Sequence, residues 1–337
     1  MIKSLLLLSI TLSLFSFFVS SIYAAETYTN PVIGTEDAPD PGVIFCPEDN
    51  LYYATTTTGG LPAFHLRSSP DLVTWTDIGY IFHSAPSWGG TDGYWAPEIH
   101  AVNGGYNMYF VARNKQTGTL SVGVATSNKC SGPFTDSGQP VVTDSTMGQI
   151  DPTYFMDNDG KHYVIWKTDG NAVALPTPIR IAELTPNGTA LLPGQNWQTT
   201  QLITSDLPWE HGITEGPWIV YNQNAYYLFY SGSGYYDGSY AVGVARATNI
   251  TGPYTKFGPP ILKNSTDPVK FEGPGHCSVL QTKDKSNWVM VYHAWPGTQR
   301  QFRILLLDSI GWNNIVNNTV WPTVANGYPS TDPQPIP

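Results

Sequence analysis

Five ionisable residues stand at matching places along this sequence, each shortly before a segment rich in aromatic residues. Four lie 11 or 12 residues ahead of an aromatic residue in that segment, and the fifth lies eight ahead. In chain order they are Asp40, Glu98, Asp151, Glu215 and His276. Carboxylates held close together repel each other, which leaves one protonated acid beside one ionised base. Acid–base hydrolysis of a glycosidic bond requires that pairing.

The residues that directly follow three of the acids indicate places where the backbone passes close to neighbouring strands. Asp40 and Asp151 are each followed by proline, and Glu215 is followed by glycine and proline. Small and turn-forming residues let the backbone pass close to neighbouring strands. A single Asp-Pro pair would be interpreted as a turn at the start of a strand. Four acids and a histidine in matching positions favour one shared site, because only 12% of the residues are charged.

The elements that must position these residues are five aromatic strand segments, spaced 55, 56, 63 and 62 residues apart. They begin at Leu51, Tyr106, His162, Ala225 and Asn287. The string VGVA followed by a Gly-Pro turn also occurs twice, in residues 121–138 and 241–258. A period near this length with about four strands is typical of a propeller blade. The sequence therefore predicts an all-β, five-bladed β-propeller, since a β-sandwich would not repeat so closely.

The composition agrees with this fold and restricts the chemical classes of ligand that the protein could bind. Aromatic residues make up 13% of the 337 residues, and 32 glycines and 28 prolines interrupt every long stretch. This excludes a disordered chain and a helical bundle. A net charge of −10 with only 16 Lys and Arg argues against nucleic-acid binding. An aromatic-rich, weakly charged surface suits a neutral, hydroxyl-rich ligand.

The first 24 residues have the organisation of a secretory signal peptide. Lys3 precedes an apolar run over residues 5–19, and small residues end at Ala24. The run is short and broken by serine, so an uncleaved anchor is the less favoured alternative. Cleavage after Ala24 leaves residues 25–337 as one secreted propeller domain with no other membrane span. We expect a terminal segment to supply the last strand of the ring, since closure removes exposed edges.

Secretion bears on the cysteines and on four Asn-X-Ser/Thr sequons. Three cysteines leave at least one thiol unpaired, and the spacing does not show which two of Cys46, Cys130 and Cys277 would form a disulfide. The sequons predict a glycoprotein in a eukaryotic host, although a chain rich in Asn, Ser and Thr also produces them by chance. They begin at Asn187, Asn249, Asn264 and Asn317.

The motifs around the ionisable residues resemble those of glycoside hydrolase family 43, the inverting five-bladed propellers. The resemblance runs from about Tyr28 to the proline-rich C-terminal tail. Its carriers are DAPDPGVI (37–44), YWAPEIH (94–100), IDPTYFMDNDGKHYVIW (150–166), TEGPWIV (214–220), GPGHCSV (273–279) and VYHAW (291–295). Each motif is weak alone, and together they are highly specific.

The resemblance implies roles for the three central acids. Asp40 corresponds to the general base that activates water, and Glu215 to the general acid that protonates the leaving oxygen. Asp151 corresponds to the acid that orients the proton donor and tunes its pKa. The chemistry agrees, because an inverting enzyme holds its base and its acid on opposite faces of the sugar.

The resemblance also implies contacts to substrate and to a cation. Arg303 corresponds to an arginine that contacts the terminal sugar in exo-acting members, with a structural ion pair as the alternative. Trp95 sits where the family places an aromatic wall, and Trp95 and Glu98 are candidate substrate-binding residues. His211 is a weaker candidate for contact with the leaving sugar. His276 corresponds to an axial histidine near which many members bind calcium or another hard cation, often through water. A buried core histidine is an equal alternative, and no organic cofactor is expected.

The resemblance leaves the substrate open among several pentose linkages. We expect an exo-acting α-L-arabinofuranosidase or β-xylosidase, because Arg303 is typical of exo action and aromatic loops at 82–94 and 235–239 could wall a pocket. An endo-1,5-α-L-arabinanase with an open groove is the alternative. Expected partners are arabinan, arabinoxylan and xylan fragments, with no nucleic acid and no membrane, and the oligomeric state is not indicated.

Two functions of other kinds are disfavoured. Fructan-acting five-bladed enzymes resemble one another through a WMNDPNG-like start and an Arg-Asp-Pro element, and neither string occurs here. A non-catalytic sugar-binding propeller would repeat its binding residues in every blade. The axial residues here differ from repeat to repeat, as a single asymmetric site requires.

Overall fold

The computed structural model describes residues 26–265, 270–297 and 300–337. The predicted signal peptide, residues 1–24, lies outside this part of the chain. The described residues form a five-bladed β-propeller, which confirms the predicted fold class. Two short 3-10 helices are present, Gly170–Val173 and Pro208–Glu210. No helix in the described ranges has the length and apolar character needed to span a membrane.

Each blade is an antiparallel sheet of four strands, preceded in the chain by β1 (Thr27–Tyr28). Blade I comprises β2 (Gly42–Cys46), β3 (Leu51–Thr56), β5 (Ala63–Ser69) and β6 (Thr76–Phe82), while β4 (Gly59–Gly60) pairs with blade II. Blade II comprises β7 (Asp92–Val102), β8 (Gly105–Arg113), β9 (Leu120–Ser127) and β10 (Thr135–Asp136). Blade III comprises β11 (Gln149–Met156), β12 (His162–Thr168), β13 (Ile179–Leu184) and β14 (Thr200–Ile203). Blade IV comprises β15 (Thr214–Asn222), β16 (Ala225–Gly232), β17 (Ala241–Ala247) and β18 (Thr255–Lys256). Blade V comprises β19 (Phe271–Gln281), β20 (Trp288–Pro296), β21 (Ile304–Val316) and β22 (Thr319–Val324), and β23 (Gln334–Pro335) follows it.

The five predicted aromatic segments form the second strand of each blade. Every residue of β12 and β16 is buried. These strands are buried on both faces because each blade packs against two neighbours, and their unbroken runs of aromatic and aliphatic residues fit that environment. The repeated VGVA segments form the third strands β9 and β17. The first strand of each blade is therefore left to line the axis, as predicted.

The ring is closed by packing between blade faces. Hydrophobic clusters fill the spaces between blades I and II, II and III, III and IV, IV and V, and V and I. The prediction that a terminal segment supplies the last strand was wrong, because all four strands of blade V are consecutive in the chain. Instead, β1 pairs with β23, and the N–H of Val32 donates to the carbonyl of Leu305 in blade V. Buried apolar faces thus join the first and last blades without a strand from elsewhere.

A disulfide bond joins Cys46, at the end of β2, to Cys130, which follows β9. It links blade I to blade II and resolves the pairing that the spacing left open. Cys277 is a free, buried thiol in β19. The bond closes a segment of 84 residues, which restricts the unfolded chain considerably.

The double substitution Cys46→Ala/Cys130→Ala should lower the free energy of unfolding. Loop-closure entropy for 84 residues corresponds to about 4.5 kcal/mol as an upper figure. Urea unfolding with and without a reductant measures the change. The wild type should lose stability on reduction, whereas the double variant should be indifferent to the reductant. Equal stability of both proteins under oxidising conditions would contradict a stabilising role.

Candidate active site

A cavity of about 270 Å³ lies on the propeller axis, lined by residues at or just before the first strand of every blade. It collects four acidic and three basic side chains. Six of the residues predicted for the site line it, and these are Asp40, Trp95, Asp151, Glu215, His276 and Arg303. The repeat-based prediction of one convergent axial site is therefore correct for these positions.

The backbone aims the axial side chains through an irregularity that recurs from blade to blade. In β7, β11, β15 and β19, the pairing with the second strand shifts register close to the predicted site residue. Asp40, Asp151 and His276 also have positive φ angles of 52°, 53° and 47°. Residues other than glycine rarely adopt this region, and such strained positions concentrate at functional sites. The bulges turn side chains that would otherwise pack between blades toward the cavity.

Two cationic side chains flank Asp40. Its Oδ1 accepts a hydrogen bond from Arg303 Nη1 at 3.0 Å and lies 3.4 Å from His276 Nδ1. Burial alone would raise the pKa of the Asp40 carboxyl, but the charges of Arg303 and His276 outweigh it and hold the pKa well below its usual range. Asp40 is therefore ionised across mildly acidic and neutral pH.

His293 supports the backbone of Asp40 from the second strand of blade V. The Asp40 backbone N–H donates to His293 Nδ1 at 3.1 Å. Burial lowers the pKa of His293 well below its usual value, and the nearby Arg303 guanidinium lowers it further. His293 is therefore neutral and accepts this hydrogen bond through an unprotonated Nδ1.

Glu215 is held at both carboxylate oxygens. Lys167 Nζ donates to Oε2 at 2.7 Å, and the Tyr240 hydroxyl donates to Oε1 at 2.7 Å. The Lys167 side chain is 1% exposed, and its Nζ also lies 3.1 Å from Asp169 Oδ1. The carboxyl group is thus fixed by one cation and one phenol.

Asp151 lies beside Glu215 without a cation in contact. Its Oδ2 accepts a hydrogen bond from the backbone N–H of Gly216 at 3.0 Å. Within the described ranges, no Lys, Arg or His nitrogen lies at ion-pair distance from this carboxylate. Burial raises the pKa of Asp151, His276 partly opposes the rise, and the charge of Glu215 adds to it. Two acids of one cavity therefore differ in proton affinity, as acid–base chemistry requires.

One side of the cavity is walled by aromatic side chains around Arg303. The Arg303 guanidinium lies 5.0 Å from the Tyr235 ring centroid and 6.0 Å from that of Trp295. Trp295 Nε1 donates to the carbonyl of Tyr235 at 2.8 Å. A cation over aromatic faces is attracted to them, so these contacts fix Arg303 as well as the wall.

Comparison with known proteins places this site in a family. The sequence profile described as Glycosyl hydrolases family 43 matches residues 28–314. The chain belongs to glycosyl hydrolase family 43. It is an inverting enzyme that hydrolyses O-glycosyl bonds, as predicted.

Individual relatives of this family 43 enzyme carry several activities in their names. A β-D-galactofuranosidase of Aspergillus niger is 28% identical over 74% of this chain and 72% of its own length. An extracellular exo-α-(1→5)-L-arabinofuranosidase of Streptomyces avermitilis is 28% identical over 79% of this chain and 56% of its own. A probable arabinan endo-1,5-α-L-arabinosidase C of Aspergillus niger is 26% identical over 89% of this chain and 96% of its own. Among solved structures, a thermostable family-43 glycoside hydrolase has a TM-score of 0.80 and 29% identity, covering 92% of this chain and 99% of its own.

Two residues predicted to contact substrate do not line the cavity of this family 43 enzyme. Glu98 is 5% exposed, and its Oε2 lies 2.8 Å from His100 Nε2. Its bulge directs it into the axial core, where burial raises its pKa. His211 is exposed beside a neighbouring cleft, and its Nδ1 lies 3.0 Å from the Ser233 hydroxyl. Glu98 and His211 therefore lie outside the cavity lining, and their contacts with substrate stay predictions.

Sequence reasoning missed residues on the second strands and loops. Lys167 and His293 each interrupt a strand of otherwise aromatic and aliphatic residues, and both meet a central acid. An ionisable residue in a strand buried on both faces was the signal that could have identified them. Tyr240 comes from the loop between β16 and β17, and no pattern in the sequence distinguishes it from other tyrosines, whereas Tyr235 in the same loop belongs to the segment 235–239 that was expected to wall a pocket.

The structure shows which side chains lie close enough together to coordinate a cation such as the one predicted near His276. In the described part of the chain, the one group of three or more His, Cys, Asp or Glu ligand atoms close enough to share an ion is Cys46, Glu48 and Cys130, which includes the disulfide. Burial lowers the pKa of His276, but the surrounding carboxylates outweigh it and raise the pKa, which favours an imidazolium. Among the described residues, no such group of ligand atoms includes His276, and the cation near it stays a prediction.

Asp151→Asn should stabilise the folded enzyme near neutral pH. A folded-state pKa above the unfolded value means that ionising Asp151 destabilises the fold, increasingly as the pH rises above about 4. Asparagine keeps an oxygen for the Gly216 N–H and carries no charge. In thermal melts from about pH 4 to 8, the gain in Tm should be largest at the top of this range and vanish at the bottom.

Asp71→Asn is a matched control of opposite sign. Burial alone would raise the pKa of Asp71, but hydrogen bonds, foremost from the backbone N–H groups of Thr74 and Val73, together outweigh it and lower the pKa. That carboxylate therefore stabilises the fold above its unfolded pKa, and the loss on substitution should shrink as the pH falls. A Tm difference for Asp151→Asn that does not change with pH would show that its charge is not the cause.

Proposed function

We propose that this enzyme is an exo-acting pentosidase, foremost an α-L-arabinofuranosidase, with β-xylosidase activity as the second candidate. The supporting observation is the small size of the cavity together with the aromatic side chains beside Arg303. About 270 Å³ is less than the roughly 300–1,000 Å³ of pockets for drug-sized ligands, and it suits one sugar residue rather than a length of polysaccharide. The aromatic wall around Arg303 closes the side along which a longer chain would continue.

The wall is braced by a second arginine. Arg300 donates from Nη1 to the carbonyl of Tyr236 at 3.0 Å and from Nη2 to that of Asp237 at 2.9 Å. Its Nη2 also lies 2.9 Å from Glu272 Oε1. The loop that carries Tyr235 is thus tied to blade V at several points, which supports a fixed wall and exo action.

We assign Asp40 as general base and Glu215 as general acid, with Asp151 orienting Glu215 and modulating its protonation. Glu215 gives its proton to the glycosidic oxygen as the bond from that oxygen to the anomeric carbon breaks. Asp40 takes a proton from the water that attacks the anomeric carbon from the opposite face. The ionised state of Asp40 and the contact of Asp151 with the Gly216 backbone support these assignments.

Secretion is part of the proposal. Relatives in Streptomyces avermitilis, Thermotoga petrophila and Bacillus subtilis are named extracellular. The signal-like organisation of residues 1–24 agrees with the same location. An extracellular enzyme would meet arabinan, arabinoxylan or xylan fragments as substrates.

Endo-1,5-α-L-arabinanase activity is the alternative to exo action, favoured by the 26% identical Aspergillus niger relative. Product size separates the two. From linear arabinan, we expect the monosaccharide alone from the first minutes, because the wall admits a chain end only. Arg300→Ala should loosen the wall and yield a measurable share of oligosaccharides, whereas Arg246→Ala, which contacts Tyr227 elsewhere in blade IV, should not. Oligosaccharides as the main early product of the wild type would refute exo action, and a panel of nitrophenyl glycosides identifies the sugar.

Asp40→Asn and Glu215→Gln should each reduce turnover on natural linkages by about 10²–10⁴-fold or more, by different routes. Without the Asp40 carboxylate no base activates water, so every substrate is affected. A dinitrophenolate leaving group needs little proton transfer, so Glu215→Gln should recover activity on dinitrophenyl glycosides selectively. Steady-state kinetics on paired substrates measure this, with proton NMR to follow the inverted product. Equal losses of Glu215→Gln on both substrates would remove its assignment as acid.

A further inference from the structure

Lys167 is a buried cation that the acid–base scheme above leaves without a role. Every residue of its strand β12 is buried, and the lysine side chain is 1% exposed. Burying an unpaired ammonium is costly, so a lysine in this position needs anionic partners. It has two, Glu215 Oε2 at 2.7 Å and Asp169 Oδ1 at 3.1 Å. Burial would lower the pKa of Lys167, but these carboxylates outweigh it and keep the lysine charged.

The two partners of Glu215 differ in what they can accept. An ammonium has three donors and no acceptor, whereas a tyrosine hydroxyl can donate or accept. A proton on Oε2 would face the Lys167 charge and could not be shared with it. A proton on Oε1 can be shared with the Tyr240 oxygen, whose hydroxyl lies 2.7 Å away.

We propose that Lys167 is a positioning residue that fixes the Glu215 carboxyl and confines its catalytic proton to Oε1. This inference rests on the proposed role of Glu215 as general acid. When Glu215 gives its proton to the leaving oxygen, the electron pair of the broken O–H bond stays on the carboxyl. The carboxylate that results carries a full negative charge beside Lys167. The ammonium stabilises that charge, and Asp169 holds the ammonium in place.

The remaining charges around this pair come from several elements. Asp151 on β11 and His276 on β19 face the Glu215 carboxyl across the cavity, and Tyr240 approaches from the loop after β16. Asp40 and Arg303 form their own ion pair on the blade I and blade V side. Among the described residues, Lys167 is the cation in direct contact with Glu215. Its removal should therefore affect proton donation by Glu215 more than it affects Asp40, the proposed base.

The test compares Lys167→Met with Lys167→Arg on glycosides of one sugar with a series of leaving groups. For poor leaving groups, kcat/KM of Lys167→Met should fall by about 10²-fold, since a positioned acid contributes roughly that much. For a dinitrophenyl glycoside the loss should stay below about 5-fold. The alkaline limb of the pH profile should move to higher pH, because a carboxyl without an adjacent cation holds its proton more strongly. Lys167→Arg keeps the positive charge, so its alkaline limb should lie close to the wild-type pH.

Lys256→Met is the control for loss of a partly buried lysine that pairs with two carboxylates. Lys256 Nζ lies 2.6 Å from both Glu210 and Asp206, away from the cavity lining. That variant should unfold at a lower temperature yet keep the wild-type pH limb and leaving-group dependence. Thermal melts of all variants show whether each is folded.

A double substitution makes the inference falsifiable even if Lys167→Met is unstable. In a Glu215→Gln background, adding Lys167→Met should cost less than about 2-fold on the dinitrophenyl glycoside, because both act through one proton. Three results would each overturn the role of Lys167. They are additive losses of activity in the double variant, equal losses of Lys167→Met for all leaving groups, and an alkaline pH limb that does not move. If the wild type cleaves a sugar other than a pentose, the proposed substrate fails, but the series is made with that sugar and the inference on Lys167 is tested all the same.

Discussion

The repulsion between carboxylates gathered in one small, mostly buried cavity is the constraint on which the rest of the site depends. Asp40, Asp151, Asp169 and Glu215 all line the cavity. Like charges repel far more strongly in a protein interior than in water, so this group can persist only beside compensating cations. Lys167, Arg303 and His276 supply that compensation from three different blades or loops.

The compensation is unequal, and the inequality has chemical consequences. Arg303 and His276 favour an ionised Asp40, whereas no cation contacts Asp151 within the described structure. Glu215 contacts a lysine at one oxygen and a phenol at the other. A single cavity can therefore hold one group ready to accept a proton and another able to keep and release one.

The propeller holds this electrostatic arrangement rigid. Hydrophobic clusters between all five pairs of adjacent blades fix the first strands relative to each other. The recurring bulges then convert strand positions into inward-facing side chains, at the cost of left-handed backbone at Asp151 and His276. Asp40, just before β2, adopts the same left-handed conformation. The packing between blades thus maintains strained conformations that an isolated strand would not adopt.

The amino-acid sequence by itself determined the five-bladed fold and most of the acids at its centre. Aromatic segments of regular period mark the strands, and an ionisable residue at a constant offset marks the axis, because both signals are local. Glu98, whose offset is eight residues rather than 11 or 12, lies in the axial core outside the cavity lining, since a bulge of one residue decides whether a side chain points to the cavity or to the core. Only the tertiary structure decided which cation meets which acid. Lys167 and Glu215 are 48 residues apart, and Arg303 and Asp40 are 263 apart, so these contacts arise only when hydrophobic packing brings separate blades together around the axis.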